Sequence, residues 1–247
     1  MKKCALSALS AAAALFLLLL PADGAMAADA SFKGSEDLGY DIYYMGIKAG
    51  HARLAVRKGD GGTPETLTLV SEARSTKAFS LIYRVHDVIE STVDAHTLMP
   101  LKYEKNLDEG KYKNFTQVVF YRSEKTALTD GIKVSAIPED AFDPLSALYH
   151  IRECDLKAGS SSFINVFADG ENFSLQVKVL KEERVKVAAG TFDTIVVEPM
   201  MKFQGIFQHK GRLIVWLTRD SRRIPVKMKS EVVIGFVNAE LNKIAGD

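Results

Sequence analysis

Cysteine is scarce: the chain has two in 247 residues. Cys4 lies close to the N-terminus, so Cys154 is the one thiol in the body of the chain. A single thiol closes no internal disulfide, and the fold is expected to rest on burial of apolar surface. An excess of charge is missing too, since 32 Lys and Arg stand against 31 Asp and Glu. Without a basic surplus the chain is not read as a nucleic-acid binder. No glycine-rich loop opens a helix, so there is no nucleotide motif. His51, His86, His96, His150 and His209 include no pair at metal-binding spacing on a helix and no HExxH, so neither metal nor cofactor is expected. "GSSSF" (Gly159 to Phe163) follows a helix and precedes a strand, the reverse of a nucleophile elbow. Past residue 27 no apolar run is long enough to span a bilayer.

What is present begins with a leader. "MKK" is a positive start, "ALSALSAAAALFLLLL" an apolar run, and "AMA" (Ala25 to Ala27) a small-residue exit. Together they predict a secretory signal peptide over residues 1–27, cleaved before Ala28. Cys4 precedes the apolar run and so is no lipoprotein acceptor. Residues 28–247 are read as a single β-rich periplasmic domain, with no transmembrane span once the leader is gone. Lys2, Lys3 and Asp23 leave with the leader, and the remaining charges cancel.

Period-two patterns run through this domain. In "FSLQVKVL", Phe173, Leu175, Val177 and Val179 face one way, with Ser174, Gln176 and Lys178 opposite. In "VHDVIESTVD", Val85, Ile89 and Val93 share a face with Asp87 and Ser91. One dry face and one wet face mark an antiparallel sheet. Turns such as "DEGK", "TDG", "ADGEN" and "TRDSRRIP" separate the runs. The expected class is mainly β: a curved antiparallel sheet, half-barrel or open barrel of roughly twelve strands with one packed helix.

That helix is "FDPLSALYHIREC", Phe142 to Cys154. Asp143 suits an N-cap and Pro144 the first turn, and the helix is expected to run from Asp143 to Leu156. At about 100° per residue Leu145, Leu148, Tyr149, Ile151 and Leu156 form an apolar arc, with Ser146, His150 and Glu153 on the other side. The helix is therefore read as an amphipathic lid on a concave dry face, with His150 on its outer surface. Arg152 falls inside the arc, where an unpaired guanidinium is costly. Two roles compete for it: an ion pair with a strand carboxylate, or a handle for a ligand anion. Cys154 is read as a core filler. "RDSRRIPVKMK" (Arg219 to Lys229) is either an anion-binding or membrane-headgroup patch or a solvated turn in which Asp220 and Arg222 touch. Strand aromatics with Met200 and Met201 in "EPMMKFQGIF" suit core packing or a greasy groove. The candidate ligand-binding residues are thus Tyr149, Arg152, Arg222 and Arg223.

"GIKAG" (Gly46 to Gly50), "DPLSALYHIR" (Asp143 to Arg152), "VAAGTFDTIVVEP" (Val187 to Pro199) and "RRIPVKM" (Arg222 to Met228) occur in this order along the chain. In them the sequence resembles the exported bacterial family called domain of unknown function 3108. The resemblance implies an envelope β-protein and brings no catalytic residues. Its nearest architectural analogy is the half-barrel of lipoprotein carriers, an open sheet around a helix. The expected function is a non-enzymatic periplasmic protein that binds a lipid or other apolar ligand in the sheet concavity. The alternative is an envelope assembly or structural factor whose partner is another protein. A hydrolase ranks third.

Overall fold

The computed structural model describes residues 35–59, 65–202, 212–232 and 234–245. The leader, Phe203 to Phe207 of the proposed groove, and His209 lie outside them. The strands are β1 (Ser35–Tyr44), β2 (Ile47–Lys58), β3 (Thr66–Ser75), β4 (His86–Asp94), β5 (Pro100–Glu109), β6 (Tyr112–Tyr121), β7 (Thr126–Thr129) and β8 (Lys133–Ala136). They continue as β9 (Ala141–Phe142), β10 (Ser161–Ala168), β11 (Glu171–Val187), β12 (Gly190–Lys202), β13 (Leu213–Thr218), β14 (Pro225–Glu231) and β15 (Phe236–Ala245). Helices α1 (Lys77–Ser80) and α2 (Pro144–Glu153) complete the set.

All fifteen strands form one sheet in the order β8 to β1, then β15 down to β9. Neighbours are antiparallel except for the two-residue β9, which runs parallel to β10. The class is the expected one; the strand count is higher because β7, β8 and β9 are too short to show a period. The described chain ends lie side by side, Asp37 facing Ala245 across β1 and β15. Among the described residues the sheet does not close by ladder pairing. Side chains span the gap instead: Asn172 Nδ2 donates to the Ala136 carbonyl at 2.7 Å and Lys133 Nζ to the Gly170 carbonyl at 3.0 Å.

Alternation decides which residues point inward. Along β4, Asp87, Ile89, Ser91 and Val93 are buried and their neighbours are not; along β1, Glu36, Leu38, Tyr40 and Ile42 are. The inner faces merge into one apolar core that reaches from Leu38 to Leu241. Because successive strands are antiparallel, their turns gather at two rims. The turns β1–β2, β3–β4 (which holds α1), β5–β6, β7–β8, β10–β11 and β14–β15 form the near rim; β4–β5, β6–β7, β11–β12 and β13–β14 belong to the far rim. At the near rim Met45 and Gly46 both have positive φ, 49° and 86°. That is the signature of a tight two-residue hairpin turn, and it leaves the Met45 side chain projecting.

Helix α2 is not a lid. It touches β3 and β4 on one limb of the sheet and β9 and β10 on the other, so the sheet wraps round it. Eight of its ten residues are buried, Ser146 and Arg152 among them. An element enclosed on all sides is a plug, and the amphipathic reading misplaced its polar side. His150 is partly buried and stacks on Phe142 with ring centroids 4.3 Å apart. The helix starts as expected and stops at Glu153, where Cys154 turns extended. The four-residue α1 had no signal long enough to predict it.

Candidate functional site

The far rim holds a polar node inside the core. Arg152, on the last turn of α2, is 2 % exposed. Its Nη1 and Nη2 donate to Glu36 Oε1 and Oε2 at 2.8 and 2.6 Å, a bidentate pair. Nη2 also donates to the Arg222 carbonyl at 3.0 Å. The guanidinium lies 4.8 Å from the Tyr149 ring centroid. Tyr40, two residues further along the same face of β1 than Leu38, donates its hydroxyl to the Pro225 carbonyl at 2.8 Å. The node thus binds β1, through Glu36 and Tyr40, and α2, through Tyr149 and Arg152, to the Arg222 carbonyl of the β13–β14 turn and the Pro225 carbonyl that opens β14.

Burial pulls the Arg152 pKa down, but the hydrogen bonds and charge of Glu36 outweigh it and leave the group above its ordinary value. Burial raises both tyrosines, Tyr40 and Tyr149, so neither supplies a phenolate. The Cys154 thiol is pushed up to about 11 by burial and contacts the His150 carbonyl at 3.4 Å. It stays protonated near neutrality and is a poor nucleophile.

Of the four residues expected to hold a ligand, Arg152 meets the Tyr149 ring and the Arg222 main chain, while the Arg222 side chain and the Arg223 amide turn to Asp220. Arg152 takes the ion-pair role. Tyr149 is fully enclosed. The Arg222 side chain is exposed and reaches Asp220 at 3.3 Å, as the solvated-turn reading had it. Arg223 sits at φ 47°, and its amide donates to the Asp220 carbonyl at 3.2 Å. The geometry is that of a clamp.

Of the other buried carboxyls, sequence reasoning singled out Asp143 as the cap of α2 and gave no role to Asp87 or Glu109. Asp143 caps α2, accepting from the amides of Leu145 at 2.7 Å and Ser146 at 3.0 Å and from the hydroxyls of Ser146 and Ser91. Burial raises its pKa despite those bonds. Asp87 and Glu109 are buried near the opposite rim, and the Asp87 carboxyl accepts from the Asp108 amide at 3.1 Å. Burial, then the charge of Asp87, pushes Glu109 up to about 7; burial raises Asp87 as well. A signal for Asp87 existed, since it shares the apolar phase of β4. Glu36 shares the phase of Leu38 and Tyr40 in the same way. Among the described residues no group of three His, Cys, Asp or Glu is placed to hold a metal ion. Nor is any helix among them long and apolar enough to cross a membrane.

An open antiparallel sheet wrapped round a buried helix defines a β-barrel-like protein. Its family follows from the sequence: residues 39–242 match the model described as protein of unknown function (DUF3108), and the chain belongs to that family. Among solved structures it is similar to a β-barrel-like protein of domain of unknown function DUF1849 from Brucella abortus. That match has a TM-score of 0.57 and 11 % identity, and covers 85 % of this chain and 97 % of the other. A protein of YmcC-like fold from Bacteroides fragilis matches with a TM-score of 0.38 and 11 % identity, covering 94 % and 100 %. No curated protein matches.

Proposed function

We propose that the protein is exported and acts in the cell envelope as a non-catalytic binding protein that meets its target with its outer surface. The observation that carries this is the filled interior. The apolar ligand expected in the concavity would need the space that α2 occupies, and the guanidinium expected to hold its headgroup is already bidentate with Glu36. Export is supported by the charged, apolar and small-residue segments of the leader.

Native mass spectrometry of the protein isolated from its own envelope tests both parts. The expected mass is that of a chain starting at Ala28, with no lipid retained. A stoichiometric lipid would return function to the concavity. A mass that includes residues 1–27 would make the protein an anchored one.

A further inference from the structure

The two rims differ in what they expose. Twelve large apolar side chains are exposed among the described residues, and all but Tyr121, Leu180 and Ile244 lie in the near-rim turns or the strand halves beside them. Leu81 and Ile82, which follow α1, are 90 % and 83 % exposed. Such side chains gain nothing where they stand, and a concentration of them on one end marks a contact surface.

The turns that carry them are joined. The Tyr44 ring meets Phe79 edge-on at 6.2 Å, linking the β1–β2 turn to α1. The Tyr44 hydroxyl donates to the Ile234 carbonyl at 2.9 Å, and the Met45 amide to the Phe236 carbonyl at 3.0 Å, which ties in the β14–β15 turn. The Gly110 amide donates to the Arg84 carbonyl at 2.8 Å and fastens the β5–β6 turn. Met45, Ile47, Leu81, Ile82 and Ile234 are therefore held on one connected platform.

Charge on the platform has one sign. The turn residues 44–48, 76–85, 110–113 and 232–235 include Lys48, Lys77, Arg84, Lys111 and Lys113 but no Asp or Glu. Lys48 pairs with Asp41, and Arg84 and Lys113 with Asp108, carboxylates set back on the strands. Lys77 and Lys111 are exposed and have no ion-pair partner among the described residues. The remaining near-rim turns carry Asp130, Asp169 and Glu171, and the far rim mixes both signs as in "TRDSRRIP", so the single sign of charge belongs to this platform.

We propose that this platform of the near rim docks on an anionic lipid surface. The five aliphatic side chains enter the boundary between headgroups and acyl chains, and the cations meet lipid phosphates, with lysine stems lying along the apolar layer. A bilayer fits better than a folded partner, because a fluid accepts separate protruding tips whereas a protein would need a matched pocket for each. This inference rests on the reading that the protein acts through its surface, and it names the target.

Flotation of the exported protein with phosphatidylcholine vesicles, with and without phosphatidylglycerol, provides the test. The wild-type protein is expected to float with the phosphatidylglycerol vesicles and much less with the neutral ones, and added salt should release it. Leu81→Ser with Ile82→Ser should weaken binding by about tenfold or more, given the apolar area withdrawn from the membrane. Lys77→Glu with Lys111→Glu should abolish the preference for anionic lipid, and Tyr121→Ser on the far rim should change nothing. All these side chains are exposed, so unchanged unfolding curves are expected and should be recorded. Wild-type protein that stays with the soluble fraction overturns the proposal, as does binding that ignores the Leu81 and Ile82 changes or that Tyr121→Ser weakens equally. A rim that captures a protein but no vesicle also overturns it, while leaving the surface-acting reading intact. A lipid found inside the barrel by native mass spectrometry defeats that reading alone.

Discussion

Asp87 and Glu109 are both buried, and burial together with the charge of Asp87 favours a proton on Glu109. Tyr83, Arg84, His86, Asp108 and Lys113 surround them, with Arg84 and Lys113 engaged by Asp108. Between the ordinary Glu value of 4.5 and about 7, the folded protein holds more protons here than the unfolded chain does. The contribution of the pair to stability is therefore greatest below that window and falls as pH rises through it. His150, whose pKa burial lowers, acts in the opposite direction, so the informative quantity is a difference. Thermal unfolding midpoints of wild type should drop relative to Glu109→Gln between about pH 5 and about pH 8. Parallel profiles for the two proteins would show that Glu109 carries no such proton.

Helix α2 is held at both ends by buried polar groups. Asp143 and Ser146 form a capping box at its start, so the orphan amides are satisfied inside the core. At its end Arg152 grips β1. Arg152→Ala should cost about 3–5 kcal/mol, because Glu36 is left charged and buried. Arg152→Met combined with Glu36→Leu should recover most of that loss, since a buried pair replaced by apolar groups of similar size is near neutral. Urea unfolding of the two single variants and the double measures it. An Arg152→Ala curve that overlays wild type would mean the pair does not hold the helix. The element itself was legible: "DPLSALYHIREC" carries its cap, its Pro and its apolar run in order. Its surroundings were not. A helical wheel assumes one wet side, and enclosure by two limbs of a sheet removes it.

In the whole molecule, stability is graded from the chain's meeting point to its seam. β1 is paired along its length with β2 and β15 and lies at the centre of the sheet. β8 has four residues, pairs only with β7, and exposes Val134 at 66 %. Short edges exchange their amides through local opening. Hydrogen exchange followed by mass spectrometry should show β8 exchanging first and β1 with β15 last. Equal protection of β8 would indicate that the seam is closed more tightly than its side-chain bridges imply. β8 is short, and Lys133 and Asn172 bridge across its edge.

The sequence by itself determined the β class, the helix and its cap, and the dry and wet phases of the long strands. These depend on residues a few positions apart, and local spacing records them. It also determined that Arg152 needed a partner, because a guanidinium in an apolar arc is costly whatever surrounds it. Which partner, and whether the concavity stays open, depended on contacts between residues far apart in the chain. Glu36 lies 116 positions from Arg152, and neither the alternation in β1 nor the wheel of α2 encodes their meeting. Only the closing of β1 on β15 brings those faces together. The same closing gathers turns from distant parts of the chain onto one rim, where single exposed aliphatics and lysines become a surface.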